Sequence, residues 1–254
     1  MINEFFRKIF IRKRKIDIKL LPSQGLFYKN DLRITVTPAS KKDISDYEKN
    51  YVRDDVGVVI YYIKKIVQKN IIISDGYKYE DIKSIDVIFI FLEIVSLTKG
   101  RPINLIYFDK NKDKEEKIEF GSKNFNYFQL GDLIKYYDYE ERCFVVSGYK
   151  YTLPSIGVEN CLTNFLIIKS AEENSGAYNS YFYDFTHFVG HKNHLRYKEI
   201  ENLLQIFNFD MESEEIIKVK KIINAFAPIQ RYSLIKDGRV VEMTSKINLE
   251  KIWR

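Results

Sequence analysis

The sequence predicts an α+β fold: an N-terminal β-hairpin with following helices, central hairpins, and a mostly helical C-terminal part closing with a β-hairpin. Three observations carry this expectation. Alternating segments are paired around turn residues near 16–37, 144–151 and 232–243. Apolar residues between them recur at helical spacing. The 254 residues include 18 Phe and 19 Tyr and are 45% apolar, enough to bury a sizeable core. With 11 Gly and 5 Pro, collagen-like and low-complexity classes are excluded.

The elements follow in chain order. Ile16, Ile18 and Leu20 alternate into Leu21-Pro22-Ser23-Gln24-Gly25, a turn in which Pro fixes φ and Gly25 takes a positive φ. Asp31 to Thr37 alternates again and stops at Pro38. Ser40 with Asp43 reads as a capping-box variant opening a helix near Lys41. Asp54 and Asp55 mark the start of a second helix, with Val56, Val59, Ile60, Ile63, Ile66 and Val67 on one face. A third helix is expected from about Glu80 to Thr98, closed by Gly100.

Arg101 to Phe108 and Lys117 to Phe120 read as a hairpin whose solvated loop is Asp109 to Glu116. Phe144 to Val146 and Tyr149 to Tyr151 flank a Ser147-Gly148 turn. Glu159 to Lys169 reads as helix, and Tyr178 to Val189, Arg196 to Phe209 and Glu212 to Phe226 as three more. Tyr232 to Lys236 and Arg239 to Met243 close the chain as a hairpin over Asp237-Gly238. Leu153-Pro154-Ser155-Ile156-Gly157 echoes Leu21 to Gly25, which reads as one turn chemistry used twice. The division expected is a basic arm at 1–15, a mixed α+β domain at 16–175 and a mostly helical part at 176–254.

Charge is concentrated at one end. Residues 1–20 hold Arg7, Lys8, Arg12, Lys13, Arg14, Lys15 and Lys19 against Glu4 and Asp17. That is +5 of the total +6, so attraction to a polyanion is expected in the arm rather than across the fold. Ile9-Phe10-Ile11 is too short for the apolar region of a signal peptide, and no apolar run is long enough to span a membrane.

Catalytic signatures are sparse, and no enzyme activity or cofactor is expected. The glycines form neither a dinucleotide fingerprint nor a phosphate-binding loop. His187, His191 and His194 are spaced i, i+4, i+7, which on a helix would place three imidazoles on one face for a metal, with Asp184 one turn earlier. Gly190 and Asn193 favour a helix end there, with histidine as a cap instead. Cys143 and Cys161 lack a C-x-x-C partner and read as apolar thiols. The acid pairs Asp54-Asp55, Glu115-Glu116, Glu140-Glu141, Glu172-Glu173 and Glu214-Glu215 are sequence neighbours, which do not face one way. The arm, with Arg12, Lys13 and Arg14 at its end, reads as a solvated tail, a docking strand for an acidic protein, or a nucleic-acid contact. The crowd of aromatic residues from Tyr178 to Phe188 fits either a buried helix or an interface.

From Ile16 to Glu48 the chain resembles the baseplate hub protein family of T-even-like contractile-tailed phages. The resemblance is carried by Leu21, Pro22, Ser23, Gly25, Phe27 and Tyr28, by the strand that follows, and by Pro38 before a helix rich in acids and lysines. It continues loosely at Asp86 to Gly100, like that family's central helix, and at Phe144 to Pro154, like its later hairpin and second proline turn. The chain lacks the cysteine cluster of many relatives. The resemblance implies a phage or prophage protein without enzymatic activity. Its partners would be other tail and baseplate hub proteins. It would be found in the host cytoplasm during assembly or in the virion baseplate. The turn would present Leu26, Phe27 and Tyr28, and the arm would order on the partner. The alternative reading is a basic nucleic-acid-binding protein using the arm.

Overall fold

A computed structural model describes residues 12–29, 31–51, 55–109, 113–120, 131–173, 185, 195–209, 214, 217–218, 233–236, 239–242, 249 and 252–253. The α+β expectation holds, with helices beside small antiparallel sheets.

Strand β1 (Arg14–Ile16) pairs antiparallel with β2 (Ile34–Val36), Ile16 opposite Ile34. The hairpin is there, but its first strand begins inside the expected arm. It also ends early. Ile18–Leu20 is a 3₁₀ turn, not strand. The Asp17 carboxylate accepts the Lys19 N–H at 3.0 Å, and this local bond competes successfully with a strand ladder.

The Ser40–Asp43 capping box is complete. Ser40 Oγ accepts the Asp43 N–H at 3.1 Å, and Asp43 Oδ2 accepts the Ser40 N–H at 3.3 Å. It opens helix α1 (Lys41–Asn50). Asp55 caps helix α2 (Val56–Asn70) through the Val58 N–H at 3.0 Å. The chain then passes directly into β3 (Ile71–Ile73), which pairs with β2. No strand is expected here from the sequence, because Ile71-Ile72-Ile73 is short and lacks apolar–polar alternation.

Helix α3 (Val87–Lys99) starts later than its periodicity predicts. Two short 3₁₀ turns, Tyr79–Asp81 and Ser84–Asp86, precede it. Between them Ile82 is extended and Lys83 bridges to Ser155, so this stretch bonds outward rather than into a helix. α3 is buried nearly all round, from Val87 to Leu97 with Glu93 the exception. Gly100 ends it at φ 65° with its N–H on the Ser96 carbonyl.

Strands β4 (Asn104–Asp109) and β5 (Lys114–Glu119) form the next hairpin. The loop between them is shorter than the expected Asp109 to Glu116. Glu115 and Glu116 lie on β5, opposite Phe108 and Tyr107. Strands β6 (Tyr137–Asp138), β7 (Cys143–Val146) and β8 (Tyr149–Tyr151) make a second small sheet. Ser147 and Gly148 both take positive φ, 50° and 82°, as a type I′ turn requires. Helices α4 (Ile156–Glu173) and α5 (Tyr197–Phe209) follow, then the hairpin β9 (Ser233–Lys236) and β10 (Arg239–Glu242). The expected helices Tyr178 to Val189 and Glu212 to Phe226 lie outside the described residues, apart from Phe185, Glu214, Ile217 and Lys218.

Two apolar cores result. The first joins the β1–β2–β3 sheet, α1, α2 and α3. The second joins β7, β8, α4 and α5, with Phe27, Tyr137 and Phe185. They do not divide at residue 176. Leu249, Ile252 and Trp253 pack back on the first core, where the Trp253 ring meets Tyr47 at 6.3 Å and Phe91 at 5.7 Å. The Tyr47 hydroxyl donates to the Leu249 carbonyl at 3.2 Å, and the Lys99 ammonium to that of Ile252, also at 3.2 Å. Among the described residues, no helix is long and apolar enough to cross a membrane.

Candidate functional site

The loop from Leu21 to Tyr28 is the joint between the cores. Leu21 and Tyr28 belong to the first, Phe27 to the second. Gln24 at φ 55° and Gly25 at φ 70° turn the chain so that residues of opposite destination leave it. Only glycine fits at 25: a Cβ there would stand 3.2 Å from Ile18 Cγ1 and 3.3 Å from the Ile18 carbonyl oxygen.

The loop is held by one buried carboxylate. Asp86 Oδ1 accepts the Ser23 N–H at 2.8 Å, and Oδ2 accepts the Tyr28 O–H at 2.6 Å. The Tyr28 oxygen in turn accepts the Lys83 N–H at 2.7 Å. Asp86 immediately precedes α3 but does not cap it; its side chain is spent on the loop. Ser23 and Asp86 are fully buried, and Lys83 and Tyr28 nearly so.

A second Leu-Pro-Ser segment grips the other side of the same stretch. The Ser84 N–H donates to the Pro154 carbonyl at 3.0 Å, and the Ile156 N–H to that of Ile82 at 2.8 Å. Ser155 is not in a turn like that of Ser23. It opens α4, its Oγ accepting the Val158 N–H at 3.3 Å. The two echoes therefore use different local chemistry and meet on opposite sides of residues 82–86.

Burial dominates the electrostatics of this joint. It pushes the Asp86 carboxyl up to about 6, against the lowering pull of Tyr28, Ser23 and Lys83. It brings the Lys83 ammonium down to about 8, against the raising pull of Asp86, Asp81 and Cys143. Tyr28 is raised well above its ordinary value by burial and then by Asp86. Burial also pushes the neighbouring Cys143 thiol up to about 11, so it is a protonated apolar group rather than a nucleophile.

The expectation that the turn presents Leu26, Phe27 and Tyr28 fails for the latter two, which are buried, as are Leu21 and Ser23. The reason is the demand for apolar contact from two sides. Phe27 lies against Tyr137 at 6.3 Å and Phe144 at 6.1 Å, while the Tyr137 hydroxyl donates to the Leu26 carbonyl. Pro22 is half-buried.

The arm residues separate. Arg14 is a strand residue whose guanidinium donates to Glu93 Oε2 at 2.8 Å and to Ser96 Oγ at 3.2 Å. It is a structural cation rather than part of a free arm. Arg12 and Lys13 are exposed. His187, His191, His194 and Asp184 lie outside the described residues, among which no group of three or more His, Cys, Asp or Glu is arranged to hold a metal. Cys161 is half-buried. Asp55 caps α2 as read, whereas Glu172-Glu173 falls at the end of α4, and Glu141 pairs with Lys150 at 2.7 Å.

Sequence reasoning missed Lys83 and Asp86 as a pair. The signal was present: two charged residues within Ile82 to Leu92, an otherwise strongly apolar stretch. Comparison with known protein families, with curated proteins and with solved structures finds nothing that matches this chain.

Proposed function

We propose that this chain is a non-enzymatic component, or assembly factor, of the central baseplate hub of a contractile phage tail, acting through protein–protein contacts. The observation that carries the reading is the place of its motif in the fold. Leu21, Ser23, Phe27 and Tyr28 are all buried at the joint of the two cores, where Asp86 binds Ser23 and Tyr28. A motif so used marks a fold rather than an incidental turn.

A tagged pull-down from cells expressing the source operon, with nuclease treatment, tests the reading. Tail or hub proteins recovered in fixed ratio support it. Recovery of the bait alone, with nucleic acid lost on nuclease treatment, overturns it in favour of a nucleic-acid-binding protein.

A further inference from the structure

Lys83 is the only buried lysine among the described residues, at 5% exposure. Its backbone is held on two sides. The N–H donates to the Tyr28 oxygen at 2.7 Å, and the residue bridges to Ser155. The root of the side chain is therefore fixed. The ammonium at its far end makes no hydrogen bond and no ion pair among the described residues. The carboxylates that act on it do so from a distance and are turned elsewhere. Asp86 accepts from Ser23 and Tyr28, and Asp81 Oδ2 accepts the Lys78 N–H at 2.7 Å. The third group that acts on it, the Cys143 thiol of β7, is protonated.

Two side-chain polar atoms among the described residues are fully enclosed without a hydrogen bond, Ser84 Oγ and Trp253 Nε1. The Lys83 nitrogen also lacks a hydrogen bond but is not enclosed, so the tip of an otherwise buried side chain meets solvent. This placement selects a chemistry. Burial without an acceptor penalises the ammonium far more than the free amine. Conversion of the nitrogen to a neutral amide removes that penalty permanently. The small exposed tip leaves room for a small reagent and none for a protein or nucleic-acid chain to surround the nitrogen.

We propose that Lys83 is an acceptor site for a small activated acyl group, carried as a thioester or an acyl phosphate. The nitrogen lone pair adds to the acyl carbon, the thiolate or phosphate leaves with its bonding pair, and the nitrogen's proton passes to solvent at the open tip. The product is an amide, and nothing is oxidised or reduced. The lowering of the Lys83 pKa to about 8 supports the site, because it raises the share of nucleophilic free amine at neutral pH. The site stands apart from the assembly reading and does not depend on it.

The test uses a trace of isotopically labelled acetic anhydride on the full chain, folded and in guanidinium chloride. Complete acetylation with unlabelled reagent, followed by peptide mass spectrometry, gives the relative rate at each lysine. Lys41 and Lys42, exposed on α1, are the internal standards. At pH 7 Lys83 should be acetylated about tenfold faster in the folded chain than in the unfolded one, once scaled to the standards. Its folded rate should level off above about 8. A scaled folded rate at or below the unfolded rate overturns the site, because the tip is then closed or the amine stays charged. A folded rate still climbing past about pH 10, the range of an ordinary lysine, overturns it as well.

Discussion

The Tyr28 hydroxyl donates to Asp86 at 2.6 Å while accepting the Lys83 N–H at 2.7 Å, so one phenol oxygen ties the Leu21–Tyr28 loop to both ends of the turn before α3. All three groups are buried. Removing the hydroxyl in Tyr28→Phe keeps the ring in the first core but leaves a carboxylate oxygen and a backbone N–H with no partner there. The expected loss is about 1–3 kcal/mol, measured by urea denaturation. An unchanged midpoint would mean the hydroxyl carries no part of the joint.

The same joint sets a pH dependence of unusual sign. Asp86 is raised in the folded state to about 6, so the fold binds its proton more tightly than the unfolded chain. Its favourable contribution is complete below the ordinary carboxylate range and is lost as pH rises to about 6. Lys83 is lowered to about 8, so the fold releases its proton early and stability recovers as pH rises beyond that value. Together they place a shallow minimum of stability between about 6 and 8. Denaturation midpoints across pH should show it, with Asp86→Asn abolishing the acid-side rise and Lys83→Met the alkaline one. A profile identical in both variants would show that neither group drives it.

Gly25 and Gln24 predict opposite outcomes. Gly25→Val puts a branched side chain at φ 70° against Ile18, and should destabilise by more than about 2 kcal/mol. Gln24→Gly relieves a left-handed side-chain residue at φ 55° and should stabilise by up to about 1 kcal/mol. Thermal unfolding of the pair checks both signs.

Trp253→Ala removes a half-buried ring from between Tyr47 and Phe91 and should cost about 2 kcal/mol, read by thermal unfolding. Near-ultraviolet circular dichroism should show the change at the aromatic cluster. Loss of signal without loss of stability would mean that the segment merely rests on the core.

Much of this architecture was legible because its signals are local. The Ser40–Asp43 box, the Asp55 cap, the Gly100 stop and the Ser147-Gly148 turn each need only neighbouring residues. The failures share the opposite cause. Ile18–Leu20 left the strand for a bond from Asp17, and α3 began late because Lys83 and Ser84 were committed to Ser155 and Pro154, some 70 residues on. The joint itself was half visible. Leu21, Ser23 and Tyr28 stood out as a motif, but their partner Asp86 is known only once the chain has folded, and it turns a supposed display surface into interior.

The contact between Tyr47 and Leu249 spans 202 positions of sequence. On a ribosome, at about 5–20 residues per second, the segment that covers Tyr47 and Phe91 emerges some tens of seconds after the helices it covers. During that interval the first core is an open apolar face on a nascent chain. Synthesis of this protein therefore passes through a period of exposure to chaperones and to neighbouring chains, and the arrival of Leu249, Ile252 and Trp253, rather than formation of α1 to α3, is the event that seals it.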